Sequence, residues 1–165
     1  MGTPLRAKPP VKAAKAKSGE SVVFMKAYRQ ASLKRRTEIE RTGVPYAVVE
    51  DLGERLRISS GDFLSYLGVP KATYSKKKRN NEPFAGSVGH AALGMLELAE
   101  MVRSVVAAGG ADGSRSFDVE AWLGEWMRKP QPALGGMTPG DLMDTPSGRT
   151  EVRKLLGAAF SGSFV

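Results

Sequence analysis

Gly68 sits between two stretches that each read as a helix, and it dictates how they join. Ahead of it, Phe63, Leu64 and Leu67 fall on one helical face at i, i+1 and i+4. Behind it, Val69 and Tyr74 are placed to pack back onto that face, and Pro70 stands where the next helix begins. A glycine at the junction takes the left-handed conformation at no steric cost, so residues 60–79 read as a helix-turn-helix, with Ser59 or Ser60 capping its first helix. The second helix carries Lys71, Ala72, Thr73, Ser75, Lys76, Lys77 and Arg79. These residue types contact phosphates and base edges when such a helix enters the major groove, and the seven are the expected DNA-binding set.

The charge is as one-sided as that reading requires. Residues 1–83 hold 18 Lys and Arg against 8 Asp and Glu, a net of +10, while residues 84–165 hold 7 against 9, a net of −2. A basic half of this kind favours a polyanionic partner, with affinity that falls steeply as salt rises. Within it, residues 1–20 are expected to be a disordered basic arm, carrying Arg6, Lys8, Lys12, Lys15 and Lys17. Phosphate contact and plain solvation are both open readings of that arm.

The chain has 165 residues and 41% hydrophobic content, enough for one domain or two small ones. It has no cysteine, which excludes disulfides, thiolate nucleophiles and Cys-type zinc sites. No run of residues has the length and apolarity of a signal peptide core or a membrane helix, so the expected location is cytoplasmic.

The fold class expected is all-α, because helical spacing recurs and no alternating strand pattern or hairpin signal appears. Residues 21–41 read as one weak helix with Val22, Met25, Leu33 and Ile39 inward. Residues 46–57 follow as a second, through Val48, Val49, Leu52 and Leu56. A long helix over residues 87–108 presents an apolar stripe suited to a core or a dimer contact, and the glycine-rich residues 109–114 read as a linker. Phe117, Ala121, Trp122, Trp126 and Met127 indicate a further helix, its tryptophans taken as core aromatics. A last helix spans residues 147–160, with Val152, Leu155, Leu156 and Ala159 inward. The division that follows is an arm (1–20), a helix-turn-helix region (21–83), a connecting or dimerising helix (84–110) and a C-terminal domain (111–165).

Catalytic chemistry finds no foothold. The single histidine, His90, lacks a Cys or His partner for a metal or a nucleophile, and reads as a partly exposed helix residue. Asp141 and Asp144 follow a helix start at Thr138-Pro139, where acids favour the helix dipole. The glycine-rich pieces lack phosphate-loop spacing. The expectation is no enzyme, no cofactor and no metal.

From residue 117 onward the order of landmarks is Trp126-Met127, Pro130, Ala133-Leu134-Gly135-Gly136, Thr138-Pro139, Asp141-Leu142-Met143, Thr145, Gly148, Val152 and Leu155-Leu156. It resembles the C-terminal toxin-binding domain of the Xre/MbcA/ParS family of antitoxins, whose members carry an Xre-like helix-turn-helix upstream, where residues 63–78 lie here. The resemblance covers about residues 36–165. It departs at Met127, where the family's Trp is usually followed by Leu, and at Gly89-His90-Ala91, where the family tends to be acidic with Ser and Arg.

The resemblance implies a type II antitoxin whose partner is a RES-type toxin that consumes or uses nicotinamide adenine dinucleotide. It implies a homodimer within a toxin–antitoxin complex, blockage of the toxin's active site, and repression of the operon through operator DNA. By position, the blocking element is the last helix with Ser161, Gly162, Ser163, Phe164 and Val165, and Arg149 and Arg153 are placed to meet acidic toxin residues. The rival reading of the same residues is a stand-alone transcriptional regulator whose C-terminal half dimerises or senses a ligand.

Overall fold

Helix α6 (Gly86–Ala108) runs through the middle of the computed structural model, which describes residues 19–109 and 116–162. Its buried residues include Ala91, Ala92, Leu93, Met95, Leu96, Leu98, Ala99 and Val102, which together go most of the way round the helix. That is the pattern of a helix enclosed by its own fold, so the apolar stripe is used as core as far as Val102, while Val105 is exposed. Helices α1 (Glu20–Gln30), α2 (Leu33–Thr42), α4 (Ser60–Leu67), α7 (Val119–Met127) and α8 (Pro146–Ser161) all pack on it. Helix α3 (Tyr46–Leu56) lies between α1 and α7, and α5 (Lys71–Asn80) completes the helix-turn-helix. Two short 3-10 turns, Pro132–Leu134 and Gly140–Leu142, pack against α8, and the second also meets α4.

The fold is all-α. Among the described residues the β-type pairing is one antiparallel bridge, in which Val44 and Phe84 exchange both N–H···O bonds at 2.8 Å. It ties the entrance of α3 to the entrance of α6 and so closes the segment that holds α3, α4 and α5. Both residues are completely buried, which protects those two hydrogen bonds from water.

Sequence expectations are corrected at Ala159 of α8, expected inward and found exposed, and at two further places. Residues 21–41 are two helices, not one, because the chain turns at Ala31 and Ser32 caps α2 by accepting the Arg35 N–H at 3.3 Å. Leu33, expected inward, then starts α2 on the solvent side and is 73% exposed; Met25 and Tyr28 of α1 supply the burial instead. The last correction concerns α7. Its inward face is Val119, Leu123 and Met127, at i, i+4 and i+8, while Trp122 and Trp126 lie one position back and are only half-buried.

The N-terminal and C-terminal halves of the described residues share one core, from Met25 to Leu156. Asp118 caps α7 through the Ala121 N–H at 3.0 Å and also takes a hydrogen bond from Arg57 at 2.7 Å, at the end of α3. Buried Glu120 pairs with Arg103 of α6. No helix among the described residues is long and apolar enough to cross a membrane.

Candidate functional site

The turn between α4 and α5 is built by local chemistry. Gly68 sits at φ 67°, its N–H bonds the Ser65 carbonyl at 3.0 Å, and the Val69 N–H reaches back to Leu64 at 3.0 Å. This paired pattern closes α4, and buried Val69 is the apolar residue that seals it. Helix α5 leaves from Pro70, and no residue of α5 is fully buried. Tyr74 anchors it, edge-on to Tyr46 at 5.7 Å and stacked on Phe84 at 5.4 Å.

That anchoring sorts the seven expected DNA-binding residues. Lys71, Ala72, Thr73, Lys76 and Arg79 are exposed, and among the described residues the three cations of this set make no ion pair. Ser75 is half-buried beside Phe63 and Leu64, at the edge of a groove of about 360 Å³ between α3 and α5. Lys77 is turned inward: its ammonium bonds the Pro83 carbonyl at 3.0 Å, lies 3.7 Å from Glu82 and sits over the Phe84 ring. Lys78 likewise lies over Tyr46 and pairs with Glu50 at 3.0 Å. Both lysines hold α5 to the core by cation–π and ionic contacts.

In the C-terminal half, Thr145 caps α8 by accepting the Gly148 N–H at 3.1 Å. Arg149 and Arg153, one turn apart on α8, face α6. Arg149 donates to the Met143 carbonyl at 2.9 Å, and burial lowers its pKa. Arg153 pairs with Glu97 at 3.3 Å while its side chain stays 63% exposed. Both line a cleft of about 270 Å³ with Tyr28, Glu40, His90 and Glu97. The Tyr28 hydroxyl donates to Glu40 at 2.7 Å, and burial together with that carboxylate raises its pKa to about 12. Burial also holds the Glu97 carboxyl above the ordinary glutamate range, against the pull of Arg153 and Arg149.

At the end of α8 the Ser161 hydroxyl donates to the Ala158 carbonyl at 3.1 Å, and Gly162 stands at φ 69°. Ser163, Phe164 and Val165 lie outside the described residues, as do residues 1–18 of the basic arm and residues 110–115 of the expected linker. Asp141 and Asp144 are exposed, and the Thr138 hydroxyl accepts the Asp141 N–H at 3.2 Å. Asp141 belongs to the 3-10 turn Gly140–Leu142 and Asp144 to the turn that follows it; the α-helix begins only at Pro146.

Sequence reasoning missed an aromatic ridge. Trp122 and Trp126 stack nearly parallel at 6.4 Å, and Phe160 of α8 and Phe117 lie 5.9 Å and 6.4 Å from Trp122. The signal was present in the spacing. Val119, Leu123 and Met127 already complete a buried face, so tryptophans about 100° round the helix fall outside it.

Comparison with known proteins matches both halves. Residues 35–85 fit the antitoxin Xre-like helix-turn-helix domain, and residues 112–162 fit the antitoxin Xre/MbcA/ParS C-terminal toxin-binding domain. The chain is 33% identical over 140 residues to the Prs ADP-ribosylating antitoxin of Sphingobium sp. (strain YBL2), covering 84% of this chain and 86% of that one. It is 25% identical over 115 residues to the antitoxin Xre of Photorhabdus laumondii subsp. laumondii, covering 70% and 71%. With its helix-turn-helix and its toxin-binding domain packed on one central helix, this chain belongs to the Xre/MbcA/ParS family of antitoxins.

Proposed function

We propose that this antitoxin neutralises a RES-type toxin and represses its own operon, using opposite ends of one fold. The observation that carries the reading is the pairing, in one chain, of an Xre-like helix-turn-helix over residues 35–85 with a toxin-binding domain over residues 112–162. The Sphingobium relative carries the name ADP-ribosylating antitoxin, which supports a toxin that transfers ADP-ribose from the dinucleotide over one that only degrades it. The antitoxin acts by binding and performs no catalysis of its own.

On the toxin side, the end of α8 with Ser161 and Gly162, and the following Ser163, Phe164 and Val165, enter the active-site cleft and exclude the dinucleotide. Small residues permit a close backbone approach there, and an aromatic side chain supplies an apolar anchor. Arg153, which faces α6 yet keeps its side chain 63% exposed, meets an acidic toxin residue in competition with Glu97. Arg149 contributes indirectly, by holding the loop that leads into α8.

On the DNA side, Lys71, Ala72, Thr73, Lys76 and Arg79 face the major groove, with Ser75 at the edge of that face and Lys77 supporting it from behind. A homodimer places two such helices on half-sites one helical turn apart.

Deleting residues 161–165 tests the division of labour. Co-expressed with the toxin from the adjacent reading frame, the truncated chain is expected to leave cells poisoned while still retarding operator DNA in a gel. Full neutralisation by the truncated chain would remove the tail from the mechanism. The lack of any toxin-encoding neighbour would favour a stand-alone regulator.

A further inference from the structure

We propose that the ridge of Phe117, Trp122, Trp126 and Phe160 is the surface on which the toxin docks, a proposal that rests on the toxin-neutralising role given above. The ridge is made by the register of α7. That helix buries Val119, Leu123 and Met127 and turns its two largest side chains partly outward. Phe117, just ahead of the helix, is 41% exposed. The four rings support one another: the tryptophans are 10° from parallel, and Phe117 and Phe160 lie beside Trp122. They present a shaped aromatic surface with little rotamer freedom left to lose on binding.

The chemistry selects the kind of partner. Trp and Phe in a stacked, half-buried group are the residue types that anchor protein interfaces, and they bring no positive charge to a phosphate backbone. The cations that suit DNA lie on α5. The position selects the partner itself. All four residues fall within 112–162, the span matched as a toxin-binding domain, and Phe160 immediately precedes Ser161, where the blocking tail begins. A toxin seated on the ridge is therefore delivered to the tail by continuity of one surface. Broad apolar contact supplies the grip, and the tail supplies the occlusion.

The chain's two tryptophans are both in the ridge, so they report on it without mutation. Full-length antitoxin labelled with 5-fluorotryptophan gives two fluorine resonances. On titration with the unlabelled RES-type toxin from the adjacent reading frame, both are expected to shift and to lose their water-to-deuterium-oxide solvent shift. A complex that co-elutes on gel filtration yet leaves both resonances unchanged overturns the docking surface while the antitoxin role stands. Resonances that move with antitoxin concentration alone assign the ridge to a second copy and also overturn it. Absence of any complex removes the antitoxin reading and the ridge together, and co-expression toxicity records that failure separately. Phe117→Ser is expected to weaken toxin binding at least tenfold, with operator binding and the urea midpoint unchanged. Unchanged toxin affinity overturns the proposal.

Discussion

A Cβ built on Gly124 would stand 1.8 Å from the carbonyl oxygen of Leu56, so α7 lies against the end of α3 backbone to backbone. The obstacle is main chain, which cannot swing aside as a side chain would. Gly124→Ala therefore forces the two helices apart at a seam where Leu56, Leu123 and Met127 are completely buried. The expected cost is about 3 kcal/mol, well above the roughly 1 kcal/mol that alanine returns in helix propensity. Urea unfolding measures it. Since α3 lies in the helix-turn-helix span and α7 in the toxin-binding span, operator binding and toxin neutralisation should fall together in this variant. Selective loss of one would show that the seam does not couple them.

Asp51 fastens α1 to α3. Its carboxylate, 3% exposed, accepts the Ser21 N–H at 2.9 Å, the Ser21 hydroxyl, and Arg55 Nε at 3.0 Å. Asp51→Ala strands a buried N–H and a half-buried guanidinium, and is expected to cost about 3 kcal/mol. The start of α1 should then become the first site of limited proteolysis. The exposed Arg35–Glu38 pair on α2 is the control, since Arg35→Ala should change stability by less than about 0.5 kcal/mol.

Neighbouring lysines on α5 should behave differently. Lys76→Ala and Arg79→Ala each remove an exposed cation that makes no ion pair among the described residues, and each is expected to lower the slope of log affinity against log salt by about 1. Lys77→Ala removes a cation that already serves Pro83, Glu82 and Phe84. It should cost about 1 kcal/mol of stability and leave the salt slope nearly unchanged. A slope that drops equally for Lys77 would put its ammonium on a phosphate instead.

The turn at Gly68, the buried Val69 and the anchor at Tyr74 were legible because they obey local rules of spacing and turn chemistry. The cap at Ser59 and the long α6 were legible for the same reason. The inward turn of Lys77 and the seat of Lys78 over Tyr46 were not, because they depend on where Phe84 and Tyr46 arrive from other parts of the chain. The break at Ala31 was hidden because α2, which follows it, buries none of its residues and so shows no inward face to mark a new helix. Trp122 and Trp126 misled because size and hydrophobicity argue for burial, whereas the register of Val119, Leu123 and Met127 had already settled which side of α7 faces in. The contact of Gly124 with Leu56 joins residues far apart in sequence, and nothing local announces it.

Glu97 gives the fold a pH dependence of opposite sign to that of most paired carboxylates. Burial is the largest influence on it and raises its pKa; Arg153 and Arg149 act against that, and Glu40 acts with it. A raised pKa means that the folded chain holds this proton at a pH where the unfolded chain has released it. The stabilisation from protonated Glu97 is thus fully present below the unfolded glutamate pKa of about 4.3, and it is lost as pH rises through the higher folded value. Glu97→Gln keeps a neutral side chain at every pH. The variant should be at least as stable as the native chain at pH 7, because the Arg153 pair it gives up is largely solvent-exposed and worth well under about 1 kcal/mol. Its stability should also decline less than that of the native chain as pH rises above about 4.3 and through the raised folded value. Urea midpoints across that range measure both effects. A Gln variant that is weaker at pH 7 and keeps the native slope would mean that the ion pair with Arg153, rather than burial beside Glu40, governs the carboxyl.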